Sequence, residues 1–525
     1  MTRKNKAFAM GIFLITLLIL GSICSTMIFI VSKDNFASRQ ANSKIEGRLL
    51  ANTASDQFFS NLRNDNMFLN NMIDVNKCSL LDNPALRCKG SQFWGYVDEF
   101  GILASCPPGY RVNCFQLTAE TSQASGSLQV TASNILAAKL TIKTRTGCYG
   151  SLQKCRYTTY SQVFRELQYF DYLYYTSKTT LDPSFAIQPS SCITSLSASS
   201  RDPSCINVAF SGLNSNLYKD TINGPIYTSD DYFFICGSPE FTPNAKVYVA
   251  GSGTPSGTAF MSTSDPNHGN DIGCDSSSFI TPSQTYVNSN VTKINLPGEN
   301  SYNNALKAKN LESNSCPEFP DGSIITMQGS ANSGTVVSNG SISCSIASSG
   351  IVAVNGNLSG ISGTVGSRIT LVANGSITIT GDISYFHGRT ENNRTDILGL
   401  NALGNSSANR ASKIIITQCN CNRNIDAVML SVNNAVSVQD WYIDQNFAAG
   451  TYYTLSLFGA IAGKYQPIFG SFNGVDGTLL SGYVKNFKYD SRLYDATIQP
   501  SYLISPDNPL WTRLALSEVA SSSTP

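Results

Sequence analysis

Histidine is almost missing: His268 and His387 are the only two in 525 residues. That weakens imidazole-based catalysis and multi-histidine metal sites. Charge is scarce as well. Asp, Glu, Lys and Arg make up 14 % of the chain, against about 25 % in ordinary soluble domains. Lys and Arg number 36 and Asp and Glu 35, so no net field draws in nucleic acid. No GxSxG elbow, Walker loop, HExxH or CxxC pair occurs. These absences leave no catalytic residue, cofactor or metal site to name, and the chain is expected not to be an enzyme.

What is present begins with an apolar run. Ala7 to Val31 carries no charge and is rich in Ile, Leu and Phe, and Arg3, Lys4 and Lys6 precede it. Roughly 20 such residues cross a bilayer, and the basic flank suits a cytoplasmic start. Ile45, Leu49, Phe59 and Leu62 keep helical spacing beyond the run, and no proline occurs before Pro84. A helix from about residue 8 to about 65 is expected, reaching well past a bilayer at ~1.5 Å per residue. Gly11 followed by Ile12 stands where a prepilin leader is cut, although Thr16 occupies the position that usually holds glutamate.

Cysteine is abundant, at 15. Cys24 lies in the apolar run and all the others follow it. Many are close neighbours, as in small disulfide loops, and an oxidising compartment is expected. Sequential pairing is expected for Cys78–Cys88, Cys106–Cys114, Cys148–Cys155 and Cys192–Cys205. Cys236, Cys274, Cys316 and Cys344 are also read as disulfide-bonded, with partners open, as they are for Cys419 and Cys421.

The body of the chain reads as short strands. Phe164 to Tyr175 is dense in aromatics, read as core rather than as a ligand-stacking surface. From about residue 323, Asn339-Gly-Ser-Ile342, Asn355-Gly-Asn-Leu358, Asn374-Gly-Ser-Ile377 and Thr380-Gly-Asp-Ile383 share a turn-then-apolar pattern. That texture suits a β-solenoid whose coils stack strand on strand; hairpins in a β-sandwich are the alternative. The expected class is therefore mainly β with a long N-terminal α-helix and a solenoid-like ectodomain. The expected domains are the helix over 1–65, a Cys-rich α+β region over 66–204, the solenoid-like domain over 205–510 and a flexible tail over 511–525.

Polar clusters are weighed as solvated loops first. Asp265, Asn267, Asn270, Asp271 and Asp275 are oxygen ligands that calcium could take, but not at EF-hand spacing. Asp476 is similar. Sequons occur at Asn290, Asn339, Asn357, Asn374, Asn393 and Asn405, several of them on the expected turns. Arg389 to Asp396 could form a carboxylate–arginine site.

Five stretches together resemble a family. They are Phe170-Asp-Tyr-Leu-Tyr-Tyr-Thr176 with Asp182-Pro183; Asn223-Gly-Pro-Ile-Tyr-Thr-Ser-Asp230 leading to Ile235-Cys-Gly-Ser-Pro-Glu-Phe241; Gly381-Asp-Ile-Ser-Tyr385; Asp396-Ile-Leu-Gly-Leu400; and Gly482-Tyr-Val-Lys-Asn-Phe-Lys-Tyr-Asp-Ser-Arg492 with Pro500. In order, they are similar to bacterial pilus-assembly proteins of the PilX type. The resemblance implies a minor pilin-like surface protein acting in filament assembly or adhesion. Its implied partners are other pilin subunits through the N-terminal helix, the membrane before assembly, and host or surface glycans. The alternatives are a membrane-tethered carbohydrate-active enzyme and a surface-layer scaffold.

Overall fold

The computed structural model describes residues 3–64, 95–97, 103–105, 113–123, 135–146, 155–185, 210–212, 219–230, 235–237, 239–242, 245–250, 287–289, 291, 293–297, 301–311, 316–330, 334–389, 395–405, 410–441, 443, 452–472, 479–494, 510–513 and 516–519. The chain is mainly β with an N-terminal helix and divides into two units. One takes residues 1–121, 137–165 and 511–525; the other takes 122–136 and 166–510. This partition differs from the expected boundaries, because residues 166–204 contribute the strand Tyr174–Lys178 to the larger unit.

In the first unit one helix runs unbroken over Arg3–Asn64. No proline interrupts it, and Gly11, Gly21 and Gly47 are too few to break it. Its second half buries Ser43, Ala51, Ala54, Ser55, Phe58 and Leu62, at steps of mostly three and four residues along one face. That face lies on a largely antiparallel sheet. The long strands Ile135–Thr146 and Arg156–Leu167 pair in continuous register from Ala137↔Arg165 to Thr146↔Arg156.

Small residues let the helix come close to this sheet. The Ser43 and Thr146 hydroxyls are 2.9 Å apart. A Cβ at Gly47 would sit 3.2 Å from Thr144 Oγ1. Lower down, the Phe58 and Phe164 rings meet at 4.9 Å. The segment expected as a loose tail instead adds to the sheet edge. Ser517 and Glu518 pair with Ser161 and Tyr160, and Lys44 Nζ lies 3.2 Å from Glu518. An open strand edge offers backbone groups that a tail of any composition can use.

The second unit is a long stack of parallel rungs. Phe319–Pro320, Ser349–Asn355, Arg368–Ala373, Ile397–Ala402, Arg423–Ser431 and Thr454–Tyr465 pair in succession, all parallel. Tyr174–Lys178 then pairs with Thr454–Tyr465, and Ile226–Thr228, Val247–Val249 and Val287–Ser289 follow. The chain therefore enters the stack in the middle and builds outward to residue 289. It then restarts at Phe319 at the far end and returns to the middle. The two runs meet at a seam, where Ile461 faces Tyr174 and Asn486 faces Thr221.

A second parallel ladder runs alongside through Ser323–Ser330, Leu358–Val365, Ile377–Tyr385, Ile414–Ile416 and Val436–Val438. Columns of like residues fill the stack. Val352, Leu371, Leu400, Met429 and Ile461 stand in one register line, and Ile325, Ile361, Ile379, Ile416 and Val438 in another. All are at most 2 % exposed. Each such side chain contributes about 1.5–3 kcal/mol on burial.

Asn355-Gly and Asn374-Gly form corners between strands that pair with the next rung rather than with each other. Asn339–Ile342 alone among the four repeats turns a hairpin, joining Gly334–Ser338 to Ser343–Ile346. That hairpin continues the far end of the stack, and Cys316–Cys344 ties it down. Thr380–Ile383, expected as a turn, lies inside the strand Ile377–Tyr385. Gly381 is there because a Cβ would come within 2.8 Å of Ser362 Cβ on the neighbouring rung.

Candidate functional site

From Leu17 to Val31 the described side chains of the helix have no cover. Leu17, Ile19, Leu20, Ile23, Met27, Ile28, Phe29, Ile30 and Val31 are exposed, from 48 % at Ile23 to 71 % at Ile28. The Ser22 hydroxyl donates to its own helix, to Ile19 O at 2.8 Å, and Thr26 does the same to Ser22 O. Such back-bonding leaves little for water to hydrate. The free thiol of Cys24 lies on the same stretch. Exposed apolar surface on this scale marks a contact with lipid or protein. Among the described residues no helix is long and apolar enough to cross a membrane. Leu17–Val31 by itself falls short of the ~20 residues required. Gly11 and Ile12 lie within the helix, and their side chains lie outside the described residues.

The second candidate is a charge cluster that combines part of the polar run at Arg389–Asp396 with residues far away in sequence. Asp396, Asp426 and Asp490 are each at most 2 % exposed. His387 Nδ1 lies 2.8 Å from Asp396 Oδ2. Arg389 grips Asp426 Oδ1 through Nε at 2.7 Å and through a second nitrogen at 2.6 Å. Arg492 forks onto Asp490, with Nε 2.9 Å from Oδ1 and a terminal nitrogen 2.7 Å from Oδ2.

The Phe458 ring sits beneath three cations, with Arg389 at 5.7 Å and Lys488 and Arg492 at 5.9 Å. Burial pulls the Arg492 pKa down, but the hydrogen bond and charge of Asp490 carry it above its ordinary value. Burial first, and Asp490 next, push the Tyr385 hydroxyl pKa well up. Arg389–Asp426 and Arg492–Asp490 are matched pairs that pin strand ends, and Asp396 packs its Oδ2 against the His387 ring. The sequence marks the Arg389–Asp396 run, and Asp490 only within the Gly482–Arg492 stretch; Asp426 carries no local signal.

The aromatic segment is core. Tyr169, Phe170, Leu173, Tyr174 and Tyr175 are fully buried, and Tyr175 stacks on Tyr227 at 5.2 Å and 5°. Asn339 uses its side-chain oxygen to accept from the Ser341 and Ile342 amides, and Asn357 accepts from Ser376 N at 2.9 Å. Turn and corner chemistry accounts for both residues. Asp265, His268, Asn270, Asp271, Asp275, Asp476, Asn290 and Asn393 lie outside the described residues. No group of three metal-ligating side chains occurs among the described residues.

Cys316 bonds Cys344 and Cys419 bonds Cys421. Cys114 and Cys155 are each disulfide-bonded. Cys78, Cys88, Cys106, Cys148, Cys192, Cys205 and Cys274, with the side chain of Cys236, lie outside the described residues.

No protein-family model matches the chain, and no curated protein matches it. Among solved structures it is similar to the crystal structure of the competence-associated pilin ComZ from Thermus thermophilus, at 10 % identity and a TM-score of 0.29, covering 81 % of this chain and 86 % of that chain. At that score and identity the superposition does not establish a shared fold.

Proposed function

We propose that the protein is a non-enzymatic, pilin-like component of the cell surface, acting in filament assembly or adhesion. One observation carries this reading: a single 62-residue helix divides its labour. Leu17–Val31 exposes apolar side chains, and the second half of the helix is fastened to a sheet by Ser43, Gly47, Ala51 and Phe58. A helix of this kind suits the bilayer before assembly and the helices of other pilin subunits afterwards. The parallel stack is read as a β-solenoid ectodomain, with its outer face available to surface glycans. Disulfides support an exported location.

The alternative of a carbohydrate-active enzyme calls for carboxylates free to exchange protons with a substrate. The engagement of Asp426 and Asp490 by Arg389 and Arg492 supports the non-enzymatic reading.

Mass analysis of the mature N-terminus from native cells tests the assignment. A chain beginning at Ile12 supports pilin processing. An intact Met1 on a protein that never enters filaments overturns it.

A further inference from the structure

The seam of the stack is where the fold most needs a fastener, because two stretches of chain far apart in sequence meet there through strand pairing. Asp220 sits immediately before the strand Thr221–Asn223, which pairs with Val484–Tyr489. Across that pairing Lys485 Nζ lies 2.8 Å from Asp220 Oδ2, and Lys485 N donates to Asp220 Oδ1 at 2.8 Å. The side chains are 4 % and 0 % exposed.

Among the described residues the walls are mainly aromatic and aliphatic. The Phe210 ring centroid is 5.9 Å from Lys485 Nζ, and Phe210, Ile222, Tyr174 and Phe487 are fully buried. Burial, and then the charge of Asp220, hold the Tyr174 hydroxyl protonated beside the pair.

We propose that Lys485 and Asp220 condense into an intramolecular isopeptide bond that locks the seam. In this step a proton passes from the ammonium to the carboxylate along their 2.8 Å hydrogen bond. The neutral amine then attacks Asp220 Cγ, forming the C–N bond. One carboxyl oxygen leaves with two of the amine's original three protons as water, and the nitrogen keeps one. Nothing is oxidised or reduced and no co-reactant is consumed. The register of the paired strands supplies the alignment that a bimolecular condensation lacks, and exclusion of water favours the amide. The two residues are 265 positions apart, so the link closes a very long loop. Unlike a disulfide it survives reducing conditions.

Peptide mapping of the full chain after reduction and alkylation tests this. The expected result is a branched peptide joining the Asp220 and Lys485 segments, a missed tryptic cleavage at Lys485, and an intact mass lower by one water. Succinimide formation at an Asn-Gly site gives no branch and is thereby distinguished. Lys485→Arg keeps a cation for Asp220 and is expected to fold at full mass without the branch. Folded wild-type protein showing both peptides separate and Lys485 cleaved normally would overturn the proposal.

Discussion

Asp321 Oδ1 accepts a hydrogen bond from the Asn357 amide at 2.6 Å, one rung away. The same carboxylate fills the space that a side chain at Gly356 would need. The relationship repeats along one corner of the stack. Asn357 Oδ1 accepts from Ser376 N and occupies the place of a Cβ at Gly375. Lys413 N donates to Ser376 Oγ at 3.2 Å. Ser412 N donates to Asn434 Oδ1 at 2.9 Å, and Ala435 N donates to Asp182 Oδ2 at 2.9 Å. A polar ladder therefore satisfies the backbone where the chain turns from one strand ladder to the other, and glycine follows asparagine because the previous rung's side chain lies over it.

The corner glycine is therefore sensitive. Gly356 has φ +140°, outside what L side chains favour. Gly356→Ala combines that strain with overlap on Asp321 and is expected to lower stability by about 2–4 kcal/mol. Asp321→Ala, which removes the acceptor and keeps the glycine, is expected to cost about 1–2 kcal/mol. Chemical denaturation of the two variants checks the order.

The buried pairs give a second expectation. Asp490→Ala leaves Arg492 facing Tyr385 and Phe458 without its carboxylate, and is expected to destabilise by about 3 kcal/mol. Lys44→Ala, which removes an exposed partner of Glu518, is expected to change stability by less than about 1 kcal/mol. Thermal melts of both variants settle the contrast.

The two described disulfides are unequal in a chain-entropy account. Cys316–Cys344 encloses a separation of 28 residues and Cys419–Cys421 one of 2. Serine replacement of the first pair is expected to cost about 3–4 kcal/mol, and of the second about 1 kcal/mol. Denaturation of the two double variants, compared with the parent under the same oxidising conditions, measures the difference.

Alkali acts through buried phenols. Tyr172, Tyr174, Tyr175, Tyr227 and Tyr385 all have raised pKa values, with burial the leading cause in each. Above an ordinary tyrosine pKa of about 10 the unfolded chain sheds these protons while the folded chain keeps them. Protons bound in the folded state then exceed those in the unfolded state, so stability falls as pH rises. Below about pH 10 the full stability is present. The tyrosinate absorbance of these five is expected to appear only together with loss of structure; ionisation of all 24 tyrosines while the structure is still intact contradicts the burial.

Much of this was legible in the sequence, and the missing part has a physical reason. The helix was readable because an uncharged run and the spacing of Phe59 and Leu62 are local signals. The turns at Asn355-Gly and Asn374-Gly were readable, since corner chemistry is local, while the choice between stacked rungs and hairpins depends on pairing that those residues do not specify. The seam was not: Tyr174 opposite Ile461 is a pairing across hundreds of residues, and nothing near either announces it. The same holds for Arg389 with Asp426 and for Asp220 with Lys485, whose partners meet only after the rungs stack. Ser517 and Glu518 were misread because edge pairing uses backbone groups and leaves composition unconstrained.

The apolar half of the helix is the functional claim, and filament recovery tests it most directly. Surface filaments sheared from native cells should contain this protein, and Ile28→Glu, at the most exposed apolar position among the described residues, should deplete it from them while the purified full-length variant keeps the melting temperature of the parent. An unpaired charge set into an apolar contact is costly, and each 1.4 kcal/mol lost is about tenfold in recovery, so depletion of about tenfold or more is expected. Undiminished recovery of the variant in filaments, or absence of the wild-type protein from both filaments and membranes, would contradict the account.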